Sequence, residues 1–129
     1  MTDTEYLKKY LPSDKLEEGL SKLKQGVPVQ YIVGSVNFYG IDIKVNENVL
    51  IPRFETEYLV QKTIKYVKQY IGEPVKIIDL GTGSGAIAIM LKLKLDASVE
   101  AIDISEDALE VARMNSDKCK AKVNFYKSD

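Results

Sequence analysis

Histidine is absent from the 129-residue sequence, and its absence excludes several kinds of active site. Without it the chain cannot build a Ser-His-Asp triad, a Cys-His dyad or a His-ligated metal site. Cys119 is the only cysteine, so neither an internal disulfide nor a cysteine-cluster zinc site can form. A lone thiol in a cysteine-poor chain is compatible with the reducing cytoplasm, where we expect this protein to act.

An excess of charge and a long apolar run are also missing. The 18 basic and 19 acidic side chains give a net charge of −1, so no electrostatic attraction favours nonspecific binding to DNA, RNA or anionic membranes. No apolar run approaches the roughly 18 residues of a membrane span, and the first residues do not resemble a signal peptide. We therefore expect no direct DNA partner and no membrane partner.

The N-terminal region is predicted to be helical. Apolar residues at helical spacing indicate two short helices within the first 25 residues. The second helix is predicted from about residue 14 to residue 25, with Ser13 or Asp14 as its cap and Gly26 at its end.

The next region is predicted to change from helix to strand and back. Alternating apolar and polar residues predict a β-hairpin within residues 31–51, with its reversal at Gly40. Residues 46–48 are predicted to form a bend before a further extended stretch at 49–51. Apolar residues at helical spacing then predict one amphipathic helix over residues 55–71.

The C-terminal half alternates between strand and helix patterns. The predicted elements are a strand at 75–79, a glycine-rich turn at 81–85, a helix at 86–95, a strand at 98–103, a helix from Ser105 to about Asn115 and a strand at 123–127. The segment 86–95 alternates like a strand, but parallel strands on either side of it require a crossover, so we predict a helix there. This order of elements predicts an α/β fold with a parallel sheet.

The sharpest motif is the segment Asp79-Leu80-Gly81-Thr82-Gly83-Ser84-Gly85, which ends a predicted strand and opens a predicted helix. Ligands of open α/β sheets bind at this edge. The glycines permit a tight turn and a close approach to a ligand, and the helix start offers free N–H groups. Asp103 lies twenty residues beyond Gly83, at the end of the next strand, where a carboxylate can accept hydrogen bonds from both hydroxyls of a ribose.

Two nucleoside cofactors fit this motif. The loop reads G-x-G-x-x-A, an allowed variant of the dinucleotide fingerprint, which would indicate an NAD-binding oxidoreductase. The third glycine, Gly85, and the acid Asp79 before the first glycine match a loop for S-adenosylmethionine better, with Asp79 holding the amine and loop amides holding the carboxylate. The alternative without a function is that the loop is a glycine-rich turn that binds no ligand. For Asp103 the corresponding alternative is a carboxylate that is simply solvated at the end of a strand.

Three stretches together resemble the HemK/PrmC methyltransferases, which methylate the glutamine of the Gly-Gly-Gln motif in peptide chain release factors. They are Pro28-Val29-Gln30-Tyr31-Ile32-Val33-Gly34 with Phe38-Tyr39-Gly40, then Ile51-Pro52-Arg53-Phe54-Glu55-Thr56-Glu57, and the glycine loop with Asp103. The second stretch is similar to the family's Pro-Arg-Pro-Glu-Thr-Glu signature, with Phe54 in place of a proline. The glycine loop alone would indicate only a methyltransferase of some kind. The signature upstream of it narrows the resemblance to the HemK/PrmC family.

The resemblance implies the first half of a Rossmann-like, S-adenosylmethionine-dependent methyltransferase fold. Residues 1–27 would be a truncated helical region, 28–52 a β-hairpin linker and 53–129 the N-terminal half of the catalytic domain. The cofactor S-adenosyl-L-methionine would be bound by Asp79, Gly81, Thr82, Gly83, Ser84, Gly85 and Asp103. Arg53, Phe54 and Glu55 would lie near the cofactor or organise the helix start, and Asp129 would stand where relatives approach the adenine.

The family's remaining motif, Asn-Pro-Pro-Tyr, cannot be in this chain because no proline follows Pro74. No catalytic residue is therefore assigned, and we expect a fragment that is inactive alone. Its exposed sheet edge is expected to favour self-association or partial disorder. The expected partners are release factors. The alternatives are a methyltransferase for ribosomal-protein glutamine or nucleic-acid adenine, and a binding module that pairs with its own C-terminal half.

Overall fold

The computed structural model describes all 129 residues. The elements are α1 (Asp3–Tyr10), α2 (Leu16–Lys24), α3 (Val29–Val33), β1 (Ser35–Phe38), β2 (Ile41–Lys44), α4 (Phe54–Tyr66), β3 (Val75–Leu80), α5 (Ala86–Lys94), β4 (Ala97–Asp103), α6 (Glu106–Cys119) and β5 (Asn124–Lys127). A 3₁₀ turn, Ser13–Lys15, precedes α2, and a π-helical turn, Val67–Ile71, extends α4. None of these helices is long and apolar enough to cross a membrane.

The C-terminal half forms a three-stranded parallel sheet in the order β3-β4-β5. Helix α5 connects β3 to β4, and α6 connects β4 to β5. The predicted α/β fold with a parallel sheet is therefore confirmed, and so is the helix over 86–95. Because the strands are parallel, their carboxyl ends lie at one edge of the sheet, where the glycine-rich segment follows β3.

Helix α5 is apolar on nearly every side because it is buried among several elements. It contacts β4, α4 and α6, and five of its residues are buried. This burial explains why its sequence lacks a clear helical periodicity: no broad face of the helix meets water. The amphipathic helix predicted over 55–71 is confirmed as α4 and its π-helical extension, with Val60 fully buried.

The N-terminal half contains an antiparallel hairpin of β1 and β2, which packs on the same apolar core as α4 and the sheet. The reversal falls at Tyr39 and Gly40, whose φ angles are +55° and +85°. The hairpin and its reversal are thus confirmed, but its predicted start and end are wrong. Residues 31–33 lie in α3, which ends at Gly34 in the left-handed conformation, and residues 49–51 form no strand.

The predicted helix ends are partly right. Gly26 follows α2 with a φ of +90°, and Ser105 caps α6 by accepting the N–H of Ala108 at 3.1 Å. Ser13 and Asp14 do not cap α2, since the 3₁₀ turn places them inside a helical segment and no side chain caps it.

The two faces of the sheet differ in what covers them. The inner face packs on α5 and α6, and Val99 and Ala101 are buried there. The opposite face carries Ile78 and Leu80 of the edge strand β3, which are 53% and 70% exposed. An apolar surface therefore lies open beside an unpaired strand edge.

Candidate functional site

The glycine loop is fixed to the end of the neighbouring strand by its own backbone. The N–H groups of Gly81 and Thr82 both donate to the carbonyl of Ile102, at 3.0 and 2.9 Å. The N–H of Gly85 then closes the turn on the carbonyl of Thr82 at 2.9 Å. Positive φ angles at the three loop glycines, between +56° and +84°, make this path possible.

Asp103 joins the loop to the start of the next helix. One carboxylate oxygen accepts the N–H of Gly83 at 2.9 Å, and the other accepts the N–H of Ser105 at 3.0 Å. The structure thus brings together Gly83 and Asp103. Each oxygen keeps a lone pair that can accept a further hydrogen bond from a ligand hydroxyl.

Asp79 lies on the other side of the loop, at the end of β3. Its carboxylate accepts the hydroxyl proton of Thr82 at 2.8 Å. Burial raises the pKa of Asp79, the hydrogen bond from Thr82 opposes this, and the charge of Asp103 raises it further. Two carboxylates and the free N–H groups at the start of α5 therefore share the carboxyl edge of the sheet.

A cavity of about 170 Å³ opens between the loop and the connection from β2 to α4. It is lined by residues 50–53 and Thr56 on one side and by residues 81–84, Ala86 and Ile87 on the other. Four of the predicted cofactor residues, Gly81 to Ser84, thus line it. The other three do not: Gly85 packs against α6, and Asp79 and Asp103 flank the loop.

The residues of the Arg-x-Glu-Thr-Glu signature have two different surroundings, the cavity and the hairpin turn. Arg53 lines the cavity, and its contact with Glu55, at 3.5 Å between two well-exposed side chains, is weak. Phe54 is 78% exposed. Glu57 does something different, since its carboxylate accepts the N–H of Tyr39 in the hairpin turn and so fastens the hairpin to α4.

Asp129 follows β5 and is exposed. Ser128, next to it, donates its N–H to the carbonyl of Asp103 at 3.1 Å, so the end of β5 continues alongside β4. A larger open cavity, about 490 Å³, lies at the opposite edge of the sheet, around the first residues of β3 and β4. It contains none of the predicted site residues, and parallel sheets bind ligands at the other edge.

Sequence reasoning missed the support behind the loop. Asn115 of α6 is completely buried and bonds to the carbonyl of Ser84, at 2.9 Å, and to the backbone of Lys44 in the hairpin. A signal for it was present: Ala108 and Ala112 lie on the buried face of α6, and a further helical step places an amide on that apolar face.

The loop suits a ligand that approaches its backbone closely. An added Cβ at Gly81 or Gly83 would meet nothing within 4 Å, so a side chain there would enter open space beside the loop. The free amides at the start of α5 can bind a carboxylate, and Asp103 can bind hydroxyls. These residues fit S-adenosylmethionine, which carries an amine, a carboxylate and a ribose.

Comparison with known proteins gives two kinds of match. A family model described as a methyltransferase domain matches residues 71–129. The release factor glutamine methyltransferase of Bacillus subtilis (strain 168) is 49% identical over 109 residues, which cover 82% of this chain and 38% of the relative. That of Flavobacterium psychrophilum is 45% identical over 115 residues, covering 88% and 40%. The chain thus spans about 40% of the length of the curated relatives it matches.

Solved structures share the fold. The Pyrococcus abyssi tRNA (uracil-54, C5)-methyltransferase, in complex with S-adenosyl-L-homocysteine, aligns with a TM-score of 0.60 at 23% identity, covering 74% of this chain and 23% of that one. The Pyrococcus horikoshii protein PH0793 aligns with a TM-score of 0.60 at 13% identity, covering 98% and 62%. At such identities the likeness shows the fold alone.

Proposed function

Since the chain is a partial-length homologue of release factor glutamine methyltransferases, we propose that it forms the cofactor-binding part of such an enzyme. The enzyme would methylate the side-chain amide nitrogen of the glutamine in the Gly-Gly-Gln motif of peptide chain release factors. The observation that carries the proposal is the loop closed by Asp103 on Gly83, at the carboxyl edge of a parallel sheet. On this proposal residues 53–129 are the first half of the catalytic domain, preceded by a helical region, 1–27, and a hairpin linker, 28–52.

The residues of the loop would hold S-adenosylmethionine, which supplies an electrophilic methyl group on its sulfonium. The free N–H groups of the first turn of α5, at the positive end of that helix, would bind the carboxylate. Asp103 would accept hydrogen bonds from the ribose hydroxyls through the lone pairs that Gly83 and Ser105 leave free. Asp79 would face the amine, where a positive charge would favour its ionised form.

Methylation of an amide nitrogen demands positioning, because the nitrogen lone pair is delocalised into the carbonyl. A site helps by accepting hydrogen bonds from the NH₂ group and aligning the nitrogen with the methyl group. In the family resembled, an asparagine and a proline carbonyl of Asn-Pro-Pro-Tyr do this, and the chain contains no such motif. We therefore propose that these 129 residues bind the cofactor but transfer no methyl group alone.

Release factors are the proposed partners, and the cytoplasm, where they act on ribosomes, is the proposed location. A ribosomal-protein glutamine and a nucleic-acid adenine are the competing substrates. The balanced charge of the chain gives no support to nucleic acid.

Calorimetric titration with S-adenosylhomocysteine and with NAD tests the cofactor. We expect saturable binding of S-adenosylhomocysteine and no measurable binding of NAD. The reverse preference would overturn the proposal in favour of a dinucleotide enzyme.

A methyl-transfer assay with labelled S-adenosylmethionine and a purified release factor tests the reaction. We expect no transfer by the chain alone and restored transfer when the remaining C-terminal part of the Bacillus subtilis relative is added as a separate polypeptide. A release factor with Gln replaced in its Gly-Gly-Gln motif is the control and should accept no methyl group. Turnover by the 129 residues alone would contradict the proposal that they bind the cofactor but transfer no methyl group by themselves.

A further inference from the structure

The side chain of Asn115 connects two parts of the molecule that lie far apart in sequence. Its Oδ1 accepts the N–H of Lys44 at 2.7 Å, and its Nδ2 donates to the carbonyls of Lys44, at 3.0 Å, and Ser84, at 2.9 Å. Asn115 is fully buried, and Ser84 is nearly so. One buried amide therefore holds β2 of the hairpin and the glycine loop at the same time.

On the hairpin side, the amide of Asn115 behaves like a residue of a neighbouring strand. It pairs with both backbone polar groups of Lys44, as a strand would pair with an edge. The N–H of Val45 points the other way, to the carbonyl of Gly34 at 3.0 Å, so the hairpin's own pairing is kept. The outer edge of β2 is thus docked on α6 by hydrogen bonds of fixed direction.

On the loop side, α6 supports the glycine loop at two positions one helical turn apart. Asn115 holds the carbonyl of Ser84, and an added Cβ at Gly85 would lie 3.1 Å from the Cβ of Ala112. Ser84 also lines the cavity beside the loop. A shift of the hairpin would therefore move Asn115, and this would displace the carbonyl of Ser84, through which Asn115 holds the loop.

We propose that Asn115 is a positioning residue, which sets the shape of the glycine loop from the docked position of the hairpin. It would touch no cofactor atom and would act through Ser84. The effect on cofactor affinity rests on the proposed function, but the coupling of hairpin and loop does not. If Asn115 were merely a core residue, its replacement would lower stability without a specific effect on the loop.

The test compares two buried polar residues of α6. Asn115→Leu keeps the branched shape of the side chain but leaves the backbone groups of Lys44 and Ser84 unpaired, whereas Ser116→Ala removes a buried hydroxyl that donates to the carbonyl of Ala121, away from the loop. Urea unfolding of both variants gives the stability lost in each. Amide hydrogen exchange of the chain, followed residue by residue by NMR, then reports on the loop.

We expect Asn115→Leu to speed exchange at the loop amides of Thr82 and Gly85 roughly tenfold, and to weaken S-adenosylhomocysteine binding by a similar factor. Ser116→Ala, compared with Asn115→Leu at the same loss of unfolding free energy, should change the loop exchange rates and the affinity for S-adenosylhomocysteine by less than about twofold each. Equal effects of the two variants on the loop would overturn the inference.

A measurement on the unsubstituted chain covers the case in which Asn115→Leu does not fold. The N–H of Lys44 is bonded to Asn115 and lies outside the cavity. Saturation with S-adenosylhomocysteine should slow its exchange at least about threefold, together with the loop amides. Slower loop exchange with no change at Lys44 would contradict the coupling. If the chain binds no S-adenosylhomocysteine, the proposed function fails, and loop exchange decides the inference alone, measured in Asn115→Leu or, where that variant does not fold, in the smaller polar variant Asn115→Ser.

Discussion

Asp103 and Gly83 are joined by a hydrogen bond of 2.9 Å, in which a carboxylate at the end of β4 accepts the loop's central N–H. The acid proposed to bind the ribose thus also holds the loop in place. Its two roles predict two separate losses when the carboxylate is removed.

Asp103→Ala should weaken S-adenosylhomocysteine binding at least about tenfold and lower the free energy of unfolding by about 1–2 kcal/mol, because the amides of Gly83 and Ser105 lose their acceptor. Calorimetry and urea unfolding measure the two losses. Asp107→Asn, at an exposed acid in the first turn of α6, is the matched control and should leave binding within about twofold. Unchanged affinity in Asp103→Ala would count against the proposed ribose contact.

Asp79→Asn should stabilise the chain at neutral pH. Burial raises the pKa of Asp79 in the folded state, so the ionised form is disfavoured there and the wild-type protein loses stability as the pH rises through that pKa. The asparagine carries no charge, and its oxygen can still accept the hydroxyl proton of Thr82. Urea midpoints should favour Asp79→Asn at pH 7 and converge at about pH 3 and below, where Asp is mostly protonated in both states. A variant no more stable than wild type at pH 7 would refute this.

Gly83 and Gly85 should respond differently to alanine. At Gly83 the new Cβ would meet nothing, so Gly83→Ala should lose only about 1 kcal/mol for its φ of +56° while obstructing the cofactor. At Gly85 the Cβ would also crowd the backbone of Ala112 at 3.3 Å, so Gly85→Ala should lose about 2–4 kcal/mol. Thermal unfolding ranks the stabilities, and equal losses would show that α6 yields to the added methyl group.

Glu57→Ala should loosen the hairpin. Its carboxylate accepts the N–H of Tyr39, a residue held at a φ of +55°, and we expect a loss of about 1–2 kcal/mol in unfolding free energy. Glu55→Ala serves as the control from the same signature. Its only ion pair is exposed, so it should change stability by less than about 0.5 kcal/mol. Losses of equal size in urea unfolding would remove the distinction between the two glutamates.

The open sheet face should drive self-association of the isolated chain. Ile78 and Leu80 are exposed beside the unpaired edge of β3, where another strand or apolar surface can bind. Light scattering should show species larger than a monomer, and the double variant Ile78→Lys, Leu80→Lys should restore the monomer. Met114→Lys, at an exposed apolar residue of α6, should not. A wild-type chain that is monomeric at all concentrations tested would contradict the prediction.

The parts of the fold that the sequence predicted well are those set by local chemistry. The strand predicted at 75–79 and the turn at Gly81–Gly85 follow from a short apolar run and from glycines that tolerate a positive φ, whereas the helix over 86–95 is predicted from the crossover that parallel strands require. Residues 31–33 were mispredicted because Tyr31, Ile32 and Val33 favour strands on propensity, whereas Pro28 before α3 and Gly34 after it bound one helical turn. Packing, and not propensity, determines that residues 31–33 form a helical turn instead of a strand.

The site itself was predictable only on the ligand side. The glycines and Asp103 have a recognisable spacing in the sequence. The hydrogen bonds that support them from the scaffold instead join residues that no local sequence pattern relates. Glu57 reaches Tyr39 across 18 positions, and Asn115 reaches Lys44 across 71. Such pairs depend on how the elements pack, which periodicity within one element does not determine.

The separation of 71 residues between Asn115 and Lys44 also bears on the order of folding. A strand–turn–helix unit forms from neighbours in sequence, whereas closing a loop of that length first loses chain entropy that only the finished contact repays. The glycine loop can therefore take its approximate path early, but it is held from behind only after the hairpin and α6 have both formed and met. We therefore expect its final shape to form late in folding, so that the region proposed to bind the cofactor would be completed after the strands that display it.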